Sequence, residues 1–322
     1  MKAIISTQYG SPDVLKLADV QKPAPKDNEV LVKVRVATVT PSDSAFRQGK
    51  PFIIKLMYGL KKPRIQISGV EFSGEIEAVG ASVTNFKRGD AVYGISPNTF
   101  GAHAEYLTLP ATGTIIKKSP KMTYEDATGV IDGATTALSF LKNVAKIQRG
   151  QTILVNGASG AVGAYAVQLA KHFGAIVTGV CSGANVELVK SLGADKVIDY
   201  TKEDFTKHRG QYDIIFDAVG KSTFGKCKNA LKPKGIYMTT VPTLGIVGSI
   251  LRTSIMGGKK AKFTTAGLKQ NQTTLGELTD LFDAGAMRAV IDRCYSLEQV
   301  PDAYRYVDTG RKKGNVLITV TE

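Results

Sequence analysis

Tryptophan is absent from the 322 residues, only three cysteines occur, and no apolar run approaches the roughly twenty residues a membrane-crossing helix needs. Cys181, Cys227 and Cys294 are odd in number and far apart, so they outline neither a disulfide framework nor a C-x-x-C metal pair. Reduced thiols suit a cytoplasmic setting. Met1-Lys2-Ala3-Ile4-Ile5 begins like a strand and soon meets polar residues, so no secretory signal is expected. The 12 Tyr and 12 Phe are dispersed, and no Lys/Arg cluster is interleaved with them, so a net charge of +14 does not by itself make a nucleic-acid binder. The densest basic runs are Lys61-Lys62 with Arg64, Lys259-Lys260 with Lys262, and Arg311-Lys312-Lys313, and they read as solvated faces. Neither nucleic acid nor a membrane is expected as a partner.

What is present is ordinary globular composition, 43% hydrophobic and 22% charged, in a chain long enough for two cores. Up to about Lys121 short β-rich runs are broken by Pro and Gly. Residues 30–39 (VLVKVRVATV) and 69–79 (GVEFSGEIEAV) alternate with a period of two, which predicts half-buried strands of an antiparallel domain. After Tyr124 helices alternate with buried strands. Strands are expected at 153–156, 176–181, 196–199, 213–216 and 235–239, with helices at 161–173, 185–192 and 224–231, the pattern of a doubly wound parallel sheet. Helices at 274–283 and 297–307 and a strand at 316–320 close the chain.

The chemistry is concentrated where Ile153-Leu154-Val155-Asn156 runs into Gly157-Ala158-Ser159-Gly160-Ala161-Val162-Gly163 and a helix follows. Strand, glycine turn and helix in that order form a dinucleotide cradle. Gly157 and Gly160 let backbone approach a pyrophosphate, Gly163 lets helix pack on sheet, and free N–H groups face the anion. A dinucleotide without 2′-phosphate calls for an Asp or Glu about 20 residues on. None occurs between Ala158 and Val186, and the second strand ends in Cys181-Ser182-Gly183. A carboxylate repels a 2′-phosphate, whereas Ser182 and the backbone of Gly183 donate to it, so NADP(H) is expected over NAD(H).

Several short motifs then fall in a specific order: GVEFSG at 69–74, FKRGDAVYG at 86–94, GAHAEY at 101–106, GATTAL at 133–138, the glycine turn, and FDAVG at 216–220. With them the whole chain resembles the medium-chain dehydrogenase/reductase superfamily, in its zinc-free quinone oxidoreductase branch. The resemblance implies an α/β protein with a GroES-like antiparallel β domain (1–125 and 266–322) and a Rossmann-type doubly wound parallel sheet domain (126–265). It implies reduction of quinones or activated alkenes with NADPH, and a homodimer joined through Rossmann sheet edges. It places Ser182 and Tyr200 on the 2′-phosphate, and Asn185 stands where the branch often has a basic residue. Thr136 and Asn315, after Gly314, fall near the nicotinamide or its ribose. Asp217, Ala218, Val219 and Gly220 form the wall beside that ribose.

Relatives that hold zinc have a Cys in the first motif and a His before the Glu of the second. Here Thr40-Pro41-Ser42-Asp43 and Val70-Glu71 stand there, no cysteine precedes Cys181, and His103, His172 and His208 lie apart, so no metal is expected. Reduction of a conjugated C=C or a quinone does not need one, because charge spreads over a conjugated oxygen. The catalytic candidates are Thr40 and Asp43, on the substrate side in the family, and Tyr58, the nearest phenol, as donor to an oxyanion. Each also has a structural reading: Asp43 a helix cap, Thr136 a helix hydroxyl, Tyr58 a loop aromatic. Other readings left open are an enoyl-thioester reductase and a non-catalytic, crystallin-like or RNA-associated protein that only binds NADPH.

Overall fold

The structure, a computed structural model, describes residues 1–255, 257–265 and 270–321. It divides into two compact units, one of residues 1–131, 271–283 and 288 onward, the other of 132–270 and 284–287. The expected boundary at 266 lies outside the described residues.

The first unit starts with a hairpin of β1 (Lys2–Ser6) and β2 (Leu15–Asp19). β3 (Glu29–Thr38), helices α1 (Pro41–Gln48) and α2 (Phe52–Tyr58), β4 (Glu71–Val79), β5 (Ala91–Ile95), β6 (Tyr106–Pro110), β7 (Ile115–Lys117) and α3 (Tyr124–Gly129) follow. The period-two runs at 30–39 and 69–79 become β3 and β4, the two central strands. Their inward residues Val30, Val32, Val34, Phe72 and Ile76 share one core with Val92, Leu107 and Ile115. Helices α1 and α2 interrupt the β-rich stretch, α1 starting at the cap that the structural reading of Asp43 allowed. α3 stays with this unit because Thr128 and Ser73 hydrogen-bond at 2.7 Å and Ser73 Oγ donates to the Tyr124 carbonyl at 2.8 Å.

The second unit begins with α4 (Ile131–Leu138), which starts on the last residue of the first, and a π-helical turn at 139–145. It then alternates β8 (Thr152–Asn156), α5 (Ala161–His172), β9 (Ile176–Cys181), α6 (Val186–Ser191), β10 (Lys196–Asp199), β11 (Tyr212–Asp217), α7 (Phe224–Cys227), β12 (Leu231–Thr239), α8 (Leu244–Ile255) and β13 (Lys260–Lys262). All pairings in its six-stranded sheet are parallel, in the order β10-β9-β8-β11-β12-β13. The helix expected at 224–231 ends at Cys227, because the chain straightens early. Asn229 and Ala230 carbonyls accept from Gly210 and Gln211, and Leu231 already pairs with Tyr212. The helix expected at 185–192 opens with a tight 3-10 turn at 183–185.

The chain then returns to the first unit with α9 (Gln272–Asp283), β14 (Ile291–Ser296), α10 (Val300–Asp308) and β15 (Asn315–Thr319). β15 pairs antiparallel with β3, Ile318 opposite Ala37, and Val300, Ala303, Tyr304 and Val307 of α10 enter the same core. The C-terminal segment therefore completes the GroES-like sheet, whose order is β14-β15-β3-β4-β5-β7 with β6 on β3.

Candidate active site

In the second unit, sheet order places the strand reversal between β8 and β11, and a crevice opens at such a point beyond the carboxyl ends of the strands. Four strand ends meet there: Asn156, Cys181, Asp199 and Asp217 close β8, β9, β10 and β11. Gly157 and Ala158 N–H both donate to the Val180 carbonyl, at 3.0 and 2.9 Å, which fastens the turn across β9.

The three glycines of the turn have different reasons to be glycine. Gly157 adopts φ 81°, and a Cβ on it would lie 2.4 Å from a Val219 methyl. A Cβ on Gly163 would lie 2.1 Å from the Gly157 carbonyl oxygen, so helix and turn touch backbone to backbone. Gly160 has φ −80° and a Cβ there meets nothing closer than 3.4 Å. The fold itself does not require glycine at 160. Gly160 is also the N-cap of the 12-residue α5 and no side chain caps it, so the N–H groups of Ala161, Val162 and Gly163 face outward with the positive end of the helix dipole. Ser159, Gly160, Ala161 and Val162 are half-exposed while Ala158 and Gly163 are buried. This cradle fits a diphosphate.

Either side of it, the strand ends carry polar groups. Ser182 is half-buried, Gly183 exposed, and Tyr200 is 61% exposed, with its N–H donating to the Cys181 carbonyl at 3.0 Å. Ser182, Gly183 and Tyr200 are thus brought together at the ends of β9 and β10. Two further residues join them. Asn185 Nδ2 donates to Ser159 Oγ at 3.0 Å while its buried Oδ1 has no partner. Asp199 pairs with Cys181, and its carboxylate stands 2.7 Å from where a Gly183 Cβ would be. Hydrogen bonds from Thr201 N–H and Oγ hold that carboxyl below its ordinary range, so it is ionised at neutral pH. A scan along β9 alone finds no acid; the neighbouring strand supplies one. The register of β10 against β9, or simply the residue before Tyr200, was the available signal.

On the other side, Asp217 is fully buried and holds the wall. Its Oδ1 accepts from Asn156 Nδ2 at 3.0 Å, and its Oδ2 from Ser222 N–H at 2.8 Å and the Tyr237 hydroxyl at 3.1 Å. Ala218 N–H donates to the Asn156 carbonyl, Val219 leans over Gly157 at 40% exposure, and Gly220 turns at φ 65°. Gly133 on α4 approaches the start of α5 so closely that a Cβ would lie 2.5 Å from the Ala161 oxygen. Thr136, half-buried, lies one turn further on that helix face.

In the first unit, Thr40 caps α1. Its Oγ1 accepts from Asp43 N–H at 3.2 Å, and Asp43 Oδ2 accepts from Thr40 N–H at 2.8 Å and from its hydroxyl at 2.7 Å, a reciprocal capping box. Asp43 is 2% exposed, and burial raises its carboxyl pKa. Asp43 thus fixes the Thr40 side chain at the start of α1. Beneath lies a chain that sequence reasoning did not find. The Tyr304 hydroxyl donates to Ser68 Oγ at 3.3 Å, Ser68 lies 3.1 Å from His103 Nδ1, and His103 Nε2 is 2.8 Å from the Thr38 carbonyl. The carbonyl accepts only, so Nε2 carries the proton. Burial lowers the His103 pKa, keeping the ring neutral. Tyr58 is half-buried, its ring edge-on to Phe46 at 4.9 Å and tilted against Phe100 at 5.6 Å. Asn315 is buried and its amide donates to the Gly129 carbonyl at 2.7 Å, tying β15 to α3, after Gly314 turns at φ 62°.

Two family models match the chain, an alcohol dehydrogenase GroES-like domain over residues 26–121 and a zinc-binding dehydrogenase domain over 192–318. A 2-methylene-furan-3-one reductase from Solanum lycopersicum is 33% identical over 99% of this chain and 79% of its own. An NADPH-dependent alkenal/one oxidoreductase of Arabidopsis thaliana, named chloroplastic, is 31% identical with the same coverage. The solved quinone oxidoreductase of Coxiella burnetii superposes with a TM-score of 0.87 at 32% identity, covering 100% of this chain and 99% of that one. A catalytic zinc does not fit the donors present. The Thr40 hydroxyl is engaged with Asp43, the Glu71 carboxylate accepts from the Thr38 hydroxyl at 2.7 Å, and neither thiolate nor imidazole replaces them at those motif positions. The chain belongs to the medium-chain dehydrogenase/reductase superfamily, in its zinc-independent quinone oxidoreductase branch.

Proposed function

We propose that this protein is an NADPH-dependent reductase of quinones or of α,β-unsaturated carbonyl compounds. The observation that carries the proposal is the uncapped start of α5 behind Gly160, a position whose glycine the fold leaves optional, at the strand reversal of a parallel sheet. When bound, the reduced nicotinamide supplies a hydride. The N–H groups at 161–163 hold the diphosphate, and Ser182, Gly183 and Tyr200 lie toward the adenosine ribose with its 2′-phosphate. Asp217, fixed by Asn156, Ser222 and Tyr237, keeps Ala218, Val219 and Gly220 rigid as the wall on the nicotinamide side. Thr136, Gly314 and Asn315 are assigned to the nicotinamide side by family position.

For the acceptor, Thr40 and Tyr58 are the candidate hydroxyls for a developing enolate or hydroquinone oxygen, with Asp43 orienting Thr40. Relatives named alkenal/one oxidoreductase, 2-methylene-furan-3-one reductase and quinone oxidoreductase support this acceptor class. The GroES-like and Rossmann-type division of the chain is proposed to separate acceptor from coenzyme. A dimer through the second unit is supported by the edge strand β13 and by exposed Leu244, Val247, Leu251 and Ile255 on the adjacent α8. A reducing compartment such as the cytoplasm suits the free thiols of Cys181, Cys227 and Cys294. Among the described residues no helix is long and apolar enough to cross a membrane.

The test is oxidation of NADPH and NADH, side by side, with quinone, alkenal, cyclic-enone and enoyl-thioester acceptors. Turnover with the first three supports the proposal. Turnover only with the thioester moves it to an enoyl reductase, and no coenzyme consumption with any acceptor refutes it.

A further inference from the structure

Helix α2 is amphipathic the wrong way round. Phe52, Ile53, Leu56 and Met57, at i, i+1, i+4 and i+5, span one face of the helix, and Leu60 follows just beyond it. These five side chains are 64%, 54%, 53%, 61% and 59% exposed, whereas Ile54, Lys55 and Tyr58 on the opposite face are half-buried. In a surface helix the apolar stripe ordinarily faces the core. Here the stripe is exposed.

The helix is held in this orientation from below. Tyr58 packs on Phe46 and Phe100, the Tyr9 hydroxyl donates to the Gly59 carbonyl at 2.7 Å, and Arg64 N–H closes back on the Tyr58 carbonyl at 2.7 Å. Around the apolar face stand exposed Lys50, Lys61, Lys62 and Arg64, with Lys55 ammonium over the Tyr9 ring. No Asp or Glu occurs between Asp43 and Glu71, and none of the ion pairs among the described residues involves these cations.

We propose that α2 and the loop to Arg64 are a peripheral docking face for an anionic bilayer. The occupant follows from the chemistry. An acidic peptide would be met by the cations but would leave five large apolar side chains in water. A second apolar protein surface would leave the cations without counter-charge. An anionic lipid surface satisfies both, with apolar side chains below the headgroups and lysines and arginine among the phosphates. The face is an exposed helix flank that can insert, not a groove that receives.

The test is sedimentation of the full chain with vesicles of phosphatidylcholine alone and of phosphatidylcholine doped with phosphatidylserine, at low and high salt. Binding is expected to the doped vesicles, at least about tenfold weaker to phosphatidylcholine alone, and to fall as salt screens the charges. F52S/M57S is expected to lose about tenfold at unchanged net charge, and K61A/K62A about twentyfold, both melting like the parent because all four positions are exposed. I176S, at another exposed apolar position and outside the proposed dimer face, is expected to bind vesicles normally. No binding to doped vesicles, retention by F52S/M57S at parental strength, or loss in I176S instead would each overturn the assignment, as would equal capture by polyglutamate. None of these readouts depends on coenzyme turnover.

Discussion

Replacing Gly160 and Gly163 by alanine, one at a time, separates a glycine kept for the ligand from one kept for the fold. On Gly163 the added Cβ would stand 2.1 Å from the Gly157 oxygen and 2.7 Å from its carbon, with Ala158 Cα at 2.9 Å, and all three are backbone atoms. Relief needs a displacement of about 1 Å in a turn that is itself bonded to β9, and overpacking of this kind costs roughly 1–3 kcal/mol. The melting midpoint of Gly163→Ala should therefore fall by roughly 3–10 °C. On Gly160 the Cβ meets nothing nearer than 3.4 Å and φ is −80°, so Ala is accommodated and the midpoint should move by no more than about 2 °C. Yet that methyl projects at the uncapped helix start, where the proposed function seats the diphosphate. Affinity for ADP-ribose should drop at least tenfold, about 1.4 kcal/mol. With no Trp in the chain, calorimetric titration is the direct assay. If Gly160→Ala binds ADP-ribose like the parent, or melts as low as Gly163→Ala, the assignment of the cradle is wrong.

Other outcomes follow from the same geometry. Asp199→Asn keeps an acceptor for Thr201 while removing the charge beside Gly183, and should raise the NADPH-over-NADH ratio of kcat/KM and of binding about five- to tenfold; an unchanged ratio in both measurements counts against it. The folded pKa of His103 is depressed, so the unfolded chain takes up a proton first as pH falls through about 6.5, and stability drops by up to about 1.4 kcal/mol per pH unit below that value. Urea midpoints at about pH 7.5 and 5.5 should show this slope, and His103→Gln should flatten it. Thr40→Ala should cost about 1–2 kcal/mol by opening the capping box, and Thr40→Ser should restore stability in chemical denaturation; failure of Ser to rescue would point to packing of the methyl instead.

Strand alternation at 30–39 and 69–79 and the strand-turn-helix at 153–173 could be read because their signals are local: period two, period 3.6, and glycines at fixed offsets. Boundaries failed where long-range pairing overrode propensity, as at 224–231, where residues 228–230 leave the helix to meet the loop before β11. Helix α2 escaped notice for a related reason. Its apolar spacing is helical, but nothing along the chain says whether such a face turns inward or outward.

The sequence by itself determined the family, the strand, glycine turn and helix at 153–172, and the lack of donors for a catalytic zinc, since each depends on which residue types stand at set spacings. Only the tertiary structure decided which groups share space. Asp199 reaches Gly183 through the register of β10 on β9, and Tyr304 reaches His103 through Ser68 because α10 packs into the first unit. These meetings are set by strand order and core packing, which bring residues tens or hundreds of positions apart within a few ångströms and leave no periodic trace in the chain.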